Sequence, residues 1–147
     1  MKFHELFRLI NEDAPIKVNS VATLIFDQDN RCLILKRGKT APWMPLKWNL
    51  PGGGIEDGDT EQGAAVRETF EETQLTTTKL IKLKVYASPE GWAVQYFVAP
   101  ANTWSGQITL NYENVEFAWV GPNDLNSYDF IPTLKEAITL AFSKLIK

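Results

Sequence analysis

The sequence predicts an α/β fold in which helices pack on a mixed sheet, and three observations carry that prediction. Strand-like apolar segments are interspersed with segments of helical periodicity along the chain. Most neighbouring strand segments are joined by short connections rather than by crossover helices, which argues against a repeated βαβ pattern. The 147 residues contain no repeat, low-complexity tract or linker, so residues 1–147 read as one domain.

The elements follow in order. Phe3, Leu6, Phe7 and Ile10 recur at helical spacing and predict a short N-terminal helix before Pro15. Its apolar face fits a dimer interface and equally fits packing on its own core. Val18 to Phe26 and Arg31 to Arg37 read as two strands, joined as a hairpin by the turn residues Asp27 to Asn30. A loop from Gly38 to Lys47 carries Pro42 and Pro45 and leads to Trp48-Asn49-Leu50-Pro51 and three glycines. A helix is predicted from Thr60 to Thr73, then strands from Leu80 to Ala87 and from Trp92 to Ala99 around Pro89-Glu90-Gly91. Ile108 to Leu110 and Glu116 to Val120 are shorter strand candidates. Ile131 to Lys147 closes the chain as a helix, with Leu134, Ile138, Phe142 and Leu145 on one side and Pro132 in its first turn.

Composition removes several function classes. Fifteen Lys and Arg against 18 Asp and Glu give a net charge of −3, which is not that of a strongly basic nucleic-acid binder. The one cysteine, Cys32, sits in the apolar run Cys32-Leu33-Ile34-Leu35 and reads as a buried core thiol, so neither an intrachain disulfide nor a cysteine zinc cluster is expected. The one histidine, His4, excludes a multi-histidine metal site. No apolar stretch approaches the roughly 18 residues of a membrane helix, and the first ten residues, with Lys2, His4, Glu5 and Arg8, hold no signal-peptide core. A reducing, cytoplasmic setting is the expectation.

The charge is uneven. Between Glu56 and Glu72 lie seven acids and one base, Arg67, a local charge of −6, which leaves +3 on the remainder of the chain. Asp59 is positioned to cap the following helix, with Gln62 reaching back. At about 100° per residue, Glu68, Glu71 and Glu72 share an arc of about 100°, while Val66, Phe70 and Thr73 fall on the opposite side, which is expected to face the core. Ala64 and Ala65 leave open space one turn below the acids. Three acids in the last turns of a helix repel one another and oppose the helix dipole. A cation relieves this, and oxygen-only ligands of high negative charge select Mg²⁺ or Mn²⁺. The helix taken alone also fits a solvated acidic face; the preceding Gly52, Gly53 and Gly54 let backbone groups approach the acids closely. Two other motifs fail. Gly53 to Thr60 has P-loop spacing, but Asp59 stands where the lysine is needed. The segment from Asp27 starts like a calcium loop but has Cys32 and Gly38 where glycine and glutamate are required.

Gly53-Gly54-Ile55-Glu56-Asp57-Gly58-Asp59, seven residues, then Arg67-Glu68-Thr69-Phe70-Glu71-Glu72-Thr73-Gln74-Leu75 resembles the Nudix box, residues 53–75. Asp59 stands in place of glutamate, Thr69 in place of an aliphatic and Gln74 in place of the glycine that ends the helix. The resemblance implies an α/β/α sandwich with a mixed central sheet, and divalent-dependent hydrolysis of a nucleoside diphosphate linked to another group. It implies that Glu68, Glu71 and Glu72 bind Mg²⁺, or Mn²⁺ in its place, with the Gly52 carbonyl as a further ligand. Arg67 orients the carboxylates, Asp59 supports them, and Glu68 accepts the proton of the attacking water. Family members recruit an acid from a later loop; Glu113 is favoured and Glu116 is the alternative.

For the substrate, Arg37 and Lys39, with Lys36, can neutralise phosphates, and Trp43 or Trp48 can stack on a base, although Trp48 fits core packing better. Trp92, Tyr96 and Tyr112 are weaker candidates. No motif of the coenzyme A, NADH or ADP-ribose subfamilies accompanies the box, which leaves a nucleoside triphosphate or a nucleotide sugar. The competing reading is a catalytically idle Nudix-like nucleotide-binding or regulatory domain.

Overall fold

The structure, a computed structural model, describes residues 17–88 and 91–145. The predicted N-terminal helix, its dimer reading and His4 lie outside the described residues. The strands are β1 (Ser20–Ile25), β2 (Cys32–Arg37), β3 (Trp48–Asn49), β4 (Gly52–Gly54), β5 (Thr76–Thr77), β6 (Ile81–Ala87), β7 (Ala93–Ala99), β8 (Trp104–Ser105) and β9 (Asn114–Val120). The helices are α1 (Glu61–Thr73) and α2 (Leu134–Leu145), with a 3₁₀ turn at Leu125–Ser127.

One sheet has the order β4-β1-β7-β6, with β1 parallel to β7 and the other pairs antiparallel. A second has the order β3-β2-β9 and is antiparallel. Alternate residues along β1 and β7 serve different layers, as the period of two requires. Val21 and Phe97 pack with Ala64 and Ala65 of α1. Leu24, Tyr96 and Val98 pack with Leu134, Ile138 and Phe142 of α2, where Phe26 meets Phe142 edge to face at 5.5 Å. The two helices thus cover opposite faces, and the mixed sheet expected from the sequence is present. Cys32 is fully buried.

The hairpin is a correction. β1 and β2 belong to different sheets and share only an isolated bridge, Phe26 to Cys32. The intervening residues do form a tight turn, in which Asp27 Oδ1 accepts from the Asp29 and Arg31 amides at 2.9 Å each. Both edges of β1 are already taken, by β4 and β7, so β2 turns away to pair with β3 and β9.

Three further elements differ from expectation. Ile108–Leu110 is not a strand; the Thr109 amide instead donates to the Thr73 carbonyl at 2.9 Å, and the strand in this region is Trp104–Ser105. The last strand begins at Asn114 rather than Glu116. α2 begins at Leu134 rather than Ile131, because Thr133 has φ 69° and a β-branched residue in that region cannot continue a right-handed helix.

Candidate functional site

The site is built where α1 meets β4. Thr60, not Asp59, caps α1, its Oγ1 accepting from the Gly63 amide at 2.9 Å. Asp59 is used elsewhere, accepting from the Glu56 amide at 3.1 Å and from Arg67 Nη2 at 2.8 Å. The helix ends on Gln74 in the left-handed region (φ 65°), its amide donating to Phe70 O at 2.8 Å. A glycine normally takes that conformation. Here Thr73 Oγ1 supports the turn, donating to Thr69 O and accepting from the Leu75 amide.

The buried side of α1 is another correction. Ala64, Ala65, Thr69, Glu72 and Thr73 are buried, whereas Phe70, assigned to the core from its helical angle, is 46% exposed. The two alanines let the helix lie close on Val21 and Phe97, which turns part of the acidic arc inward. β4 is equally close to its neighbours. A Cβ on Gly53 would lie 2.6 Å from the Glu68 carboxyl carbon, so glycine there makes room for that carboxylate.

Arg67 is the hub of the acids. Its Nη1 lies 2.9 Å from Glu68, 3.5 Å from Glu56 and 3.6 Å from Glu71, while Nη2 bonds Asp59 and approaches the Gly54 carbonyl at 3.4 Å. The Arg67 bond, with the Glu56 amide, holds the Asp59 carboxyl below its ordinary range. Burial raises the Glu68 carboxyl, against the lowering effect of Arg67. Among the described residues Glu72 has no cationic partner of this kind. Its Oε2 accepts from the Gly52 amide at 2.8 Å and its Oε1 from Asn114 Nδ2 at 3.2 Å. Burial pushes its carboxyl up to about 8, with Glu113 and Glu68 adding to the rise and these two hydrogen bonds opposing it.

Next to Glu72 opens a cavity of about 350 Å³. Its lining includes Glu72, Glu113 and Gly52 to Gly54, together with Arg37, Trp43, Asn49, Trp92, Tyr96 and Ile131 to Leu134. Arg37 Nε donates to the Trp43 carbonyl at 2.8 Å and its guanidinium lies over the Trp43 ring at 5.5 Å. Tyr96 OH bonds Thr133 Oγ1 at 2.9 Å. Asn49 is buried and its Oδ1 has no hydrogen-bond partner.

The structure brings together Gly52, Arg67, Glu68, Glu72 and Glu113, with Arg37 and Trp43 beside them. Glu71 is exposed at the outer side of Arg67. Lys39 is exposed and does not line the cavity. Trp48 lies in the core, edge-to-face with Tyr128 at 5.0 Å. Tyr112 is 90% exposed, and Glu116 faces Lys36 across β2 and β9 at 4.0 Å, both outside the cavity. Two polar residues at the site, Asn49 and Asn114, escaped sequence reasoning. Their short amides carry no motif signal, and only the packing of β3 and β9 reveals that they are buried.

A divalent cation fits the chemistry of this donor set. The donors are all oxygens, they carry excess negative charge, and the most buried of them, Glu72, lacks a cationic partner among the described residues. Among the described residues no group of three acids, histidines or cysteines is already gathered as a bound ion would gather them, since Glu68 is drawn towards Arg67.

Comparison with known proteins places the chain in a family. A NUDIX domain model matches residues 17–141. The nucleoside triphosphatase NudI of Escherichia fergusonii is 27% identical over 137 residues, covering 85% of this chain and 97% of the relative. A MutT protein from Methanosarcina mazei Go1 superposes with a TM-score of 0.66 at 22% identity, covering 88% of this chain and 95% of that one. An Ap4A hydrolase of C. elegans gives a TM-score of 0.70 at 21% identity, covering 88% and 98%. With the domain model spanning most of the sequence, the chain belongs to the Nudix hydrolase family and is a Nudix pyrophosphohydrolase.

Proposed function

We propose that the protein hydrolyses a diphosphate bond of a nucleoside triphosphate with the help of Mg²⁺, for which Mn²⁺ can substitute. The observation that carries this reading is the mixed lining of the cavity. It combines the carboxylates of Glu72 and Glu113 with the aromatic side chains of Trp92 and Tyr96 and the unpartnered Oδ1 of Asn49. A phosphate chain neutralised by a divalent cation suits the carboxylates, and a nucleobase suits the aromatic side chains and the amide oxygen. The nucleoside triphosphatase activity named for the Escherichia fergusonii relative favours a triphosphate over a nucleotide sugar.

Glu68, Glu71, Glu72 and the Gly52 carbonyl are the groups that would hold the cation. When bound, a divalent cation neutralises phosphate oxygens and acidifies water. Arg67 keeps Glu68 oriented through its bond at 2.9 Å and opposes the rise that burial gives its carboxyl, which suits Glu68 to accept a proton from the attacking water. Arg37, which lines the cavity, offers a guanidinium to the phosphates. Glu113 lines the cavity with Glu72 and supplies the later-loop acid. The reducing environment of the cytoplasm suits a chain whose one cysteine is a buried thiol. No described helix is long and apolar enough to cross a membrane.

The test is a panel of nucleoside triphosphates and nucleotide sugars assayed with Mg²⁺ and with Mn²⁺, followed by product identification. Turnover of triphosphates that stops on chelation supports the reading. Nucleotide binding without turnover overturns it in favour of a binding domain.

A further inference from the structure

Asn114 opens β9, is 4% exposed and adjoins the acidic cluster. Its Nδ2 donates to Glu72 Oε1 at 3.2 Å, the orientation that suits an ionised Glu72. Oδ1 is consequently left buried without a hydrogen-bond partner. Buried amide oxygens are normally satisfied. This one lies on the residue that steadies Glu72, whose other oxygen is steadied by the Gly52 amide.

We propose that Asn114 is a positioning residue of the divalent-cation site, its Nδ2 orienting Glu72 and its Oδ1 serving as a neutral oxygen donor to the cation's coordination sphere. The inference rests on the metal-dependent reading above. A neutral donor adds coordination without adding a further negative charge to Glu68, Glu72 and Glu113, and hard divalent cations accept amide oxygens alongside carboxylates. The residue following Glu113 thereby acquires a use that its sequence context does not announce.

The experiment titrates Mn²⁺ into the nucleotide-free protein and reads free Mn²⁺ by electron paramagnetic resonance, for the wild type, Asn114→Ala, Asn114→Asp and Glu72→Gln. Thermal unfolding of each is followed in parallel. Asn114→Ala is expected to bind Mn²⁺ about 10-fold more weakly or worse. Asn114→Asp keeps an oxygen donor but loses the Nδ2 bond to Glu72, and is expected to bind more tightly than Asn114→Ala. Wild-type affinity in Asn114→Ala overturns the proposal, as does equal weakening in the Ala and Asp variants. Should the Ala variant not fold, Asn114→Leu, of similar volume and without polar atoms, takes its place, wild-type affinity again overturning the proposal. If the wild type binds no Mn²⁺, the metal reading falls and takes this proposal with it. If Glu72→Gln loses binding while Asn114→Ala retains it, only the proposal falls.

Discussion

Glu72 Oε2 accepts a hydrogen bond of 2.8 Å from the Gly52 backbone amide, tying the last acid of α1 to the glycine strand that precedes the helix in sequence. This contact ties the residue just before the box to the last acid within it and holds a buried carboxylate against the cavity. Its consequence is a conflict between stability and function. The Glu72 carboxyl is raised to about 8, so in the absence of a cation the folded state takes up a proton that the unfolded chain, with its ordinary value, gives up near 4.5. The stability of the metal-free protein therefore falls as pH rises from about 4.5 through about 8, by an amount on the order of a few kcal/mol. Glu72→Gln removes this component. The variant is expected to melt above the wild type at pH 8.5 with chelator present, and the difference is expected to vanish towards pH 4.5. Melting curves across that range check the sign.

Gly53→Ala is expected to reduce turnover far more than stability. The added Cβ meets the Glu68 carboxyl at 2.6 Å, and the flexible end of that side chain can move aside, but only away from the position Arg67 now gives it. A 10-fold or larger loss in kcat with a Tm within a few degrees of the wild type is the expected pair of results.

Arg67→Lys keeps the charge and loses the fork that spans Asp59 through Nη2 and Glu68 through Nη1. Turnover is expected to fall by about 10- to 100-fold, the range typical of groups that orient metal-binding carboxylates. Steady-state kinetics at saturating Mg²⁺ measure it, and wild-type turnover would show that charge alone suffices.

Gln74→Gly relieves a non-glycine residue of its left-handed conformation at the end of α1. A gain on the order of 1 kcal/mol is expected, which for a chain of this size is about 2–4 °C in Tm. Denaturant unfolding measures it directly.

Asn49→Ala is expected to blunt discrimination among nucleobases while leaving kcat for the best triphosphate within about 10-fold, because Asn49 lines the cavity with an unpartnered Oδ1 and is not among the groups that would hold the cation. Comparison of kcat/KM across the four bases reads this out; unchanged ratios would remove Asn49 from base recognition.

Much of the fold was legible because the strands and both described helices follow simple periodicities, and the box because its acids, arginine and glycines stand at fixed spacing. What misled is instructive. The turn at Asp27 to Arg31 is real, yet its two strands part into different sheets, and no local pattern reveals that β1 already has β4 and β7 as neighbours. The helical angles place Glu68, Glu71 and Glu72 on one arc and expect Phe70 on the core side. The helix is rotated from that expectation, burying Glu72 and exposing Phe70. Ala64 and Ala65, which read as open space one turn below the acids, mark instead the close side of the helix. Asn49 and Asn114 were illegible for another reason: a buried, half-satisfied amide is a property of packing across strands distant in sequence.

The central claim is that Glu72, which lines this cavity, serves divalent-dependent hydrolysis of a nucleoside triphosphate. Its most direct measurement is the rate of triphosphate hydrolysis at saturating Mg²⁺ by the wild type and by Glu72→Gln, with both shown folded by their melting curves. The expected result is a loss of several orders of magnitude in the variant, whose metal-free form is the more stable of the two at alkaline pH. Equal rates in the two proteins would contradict the account.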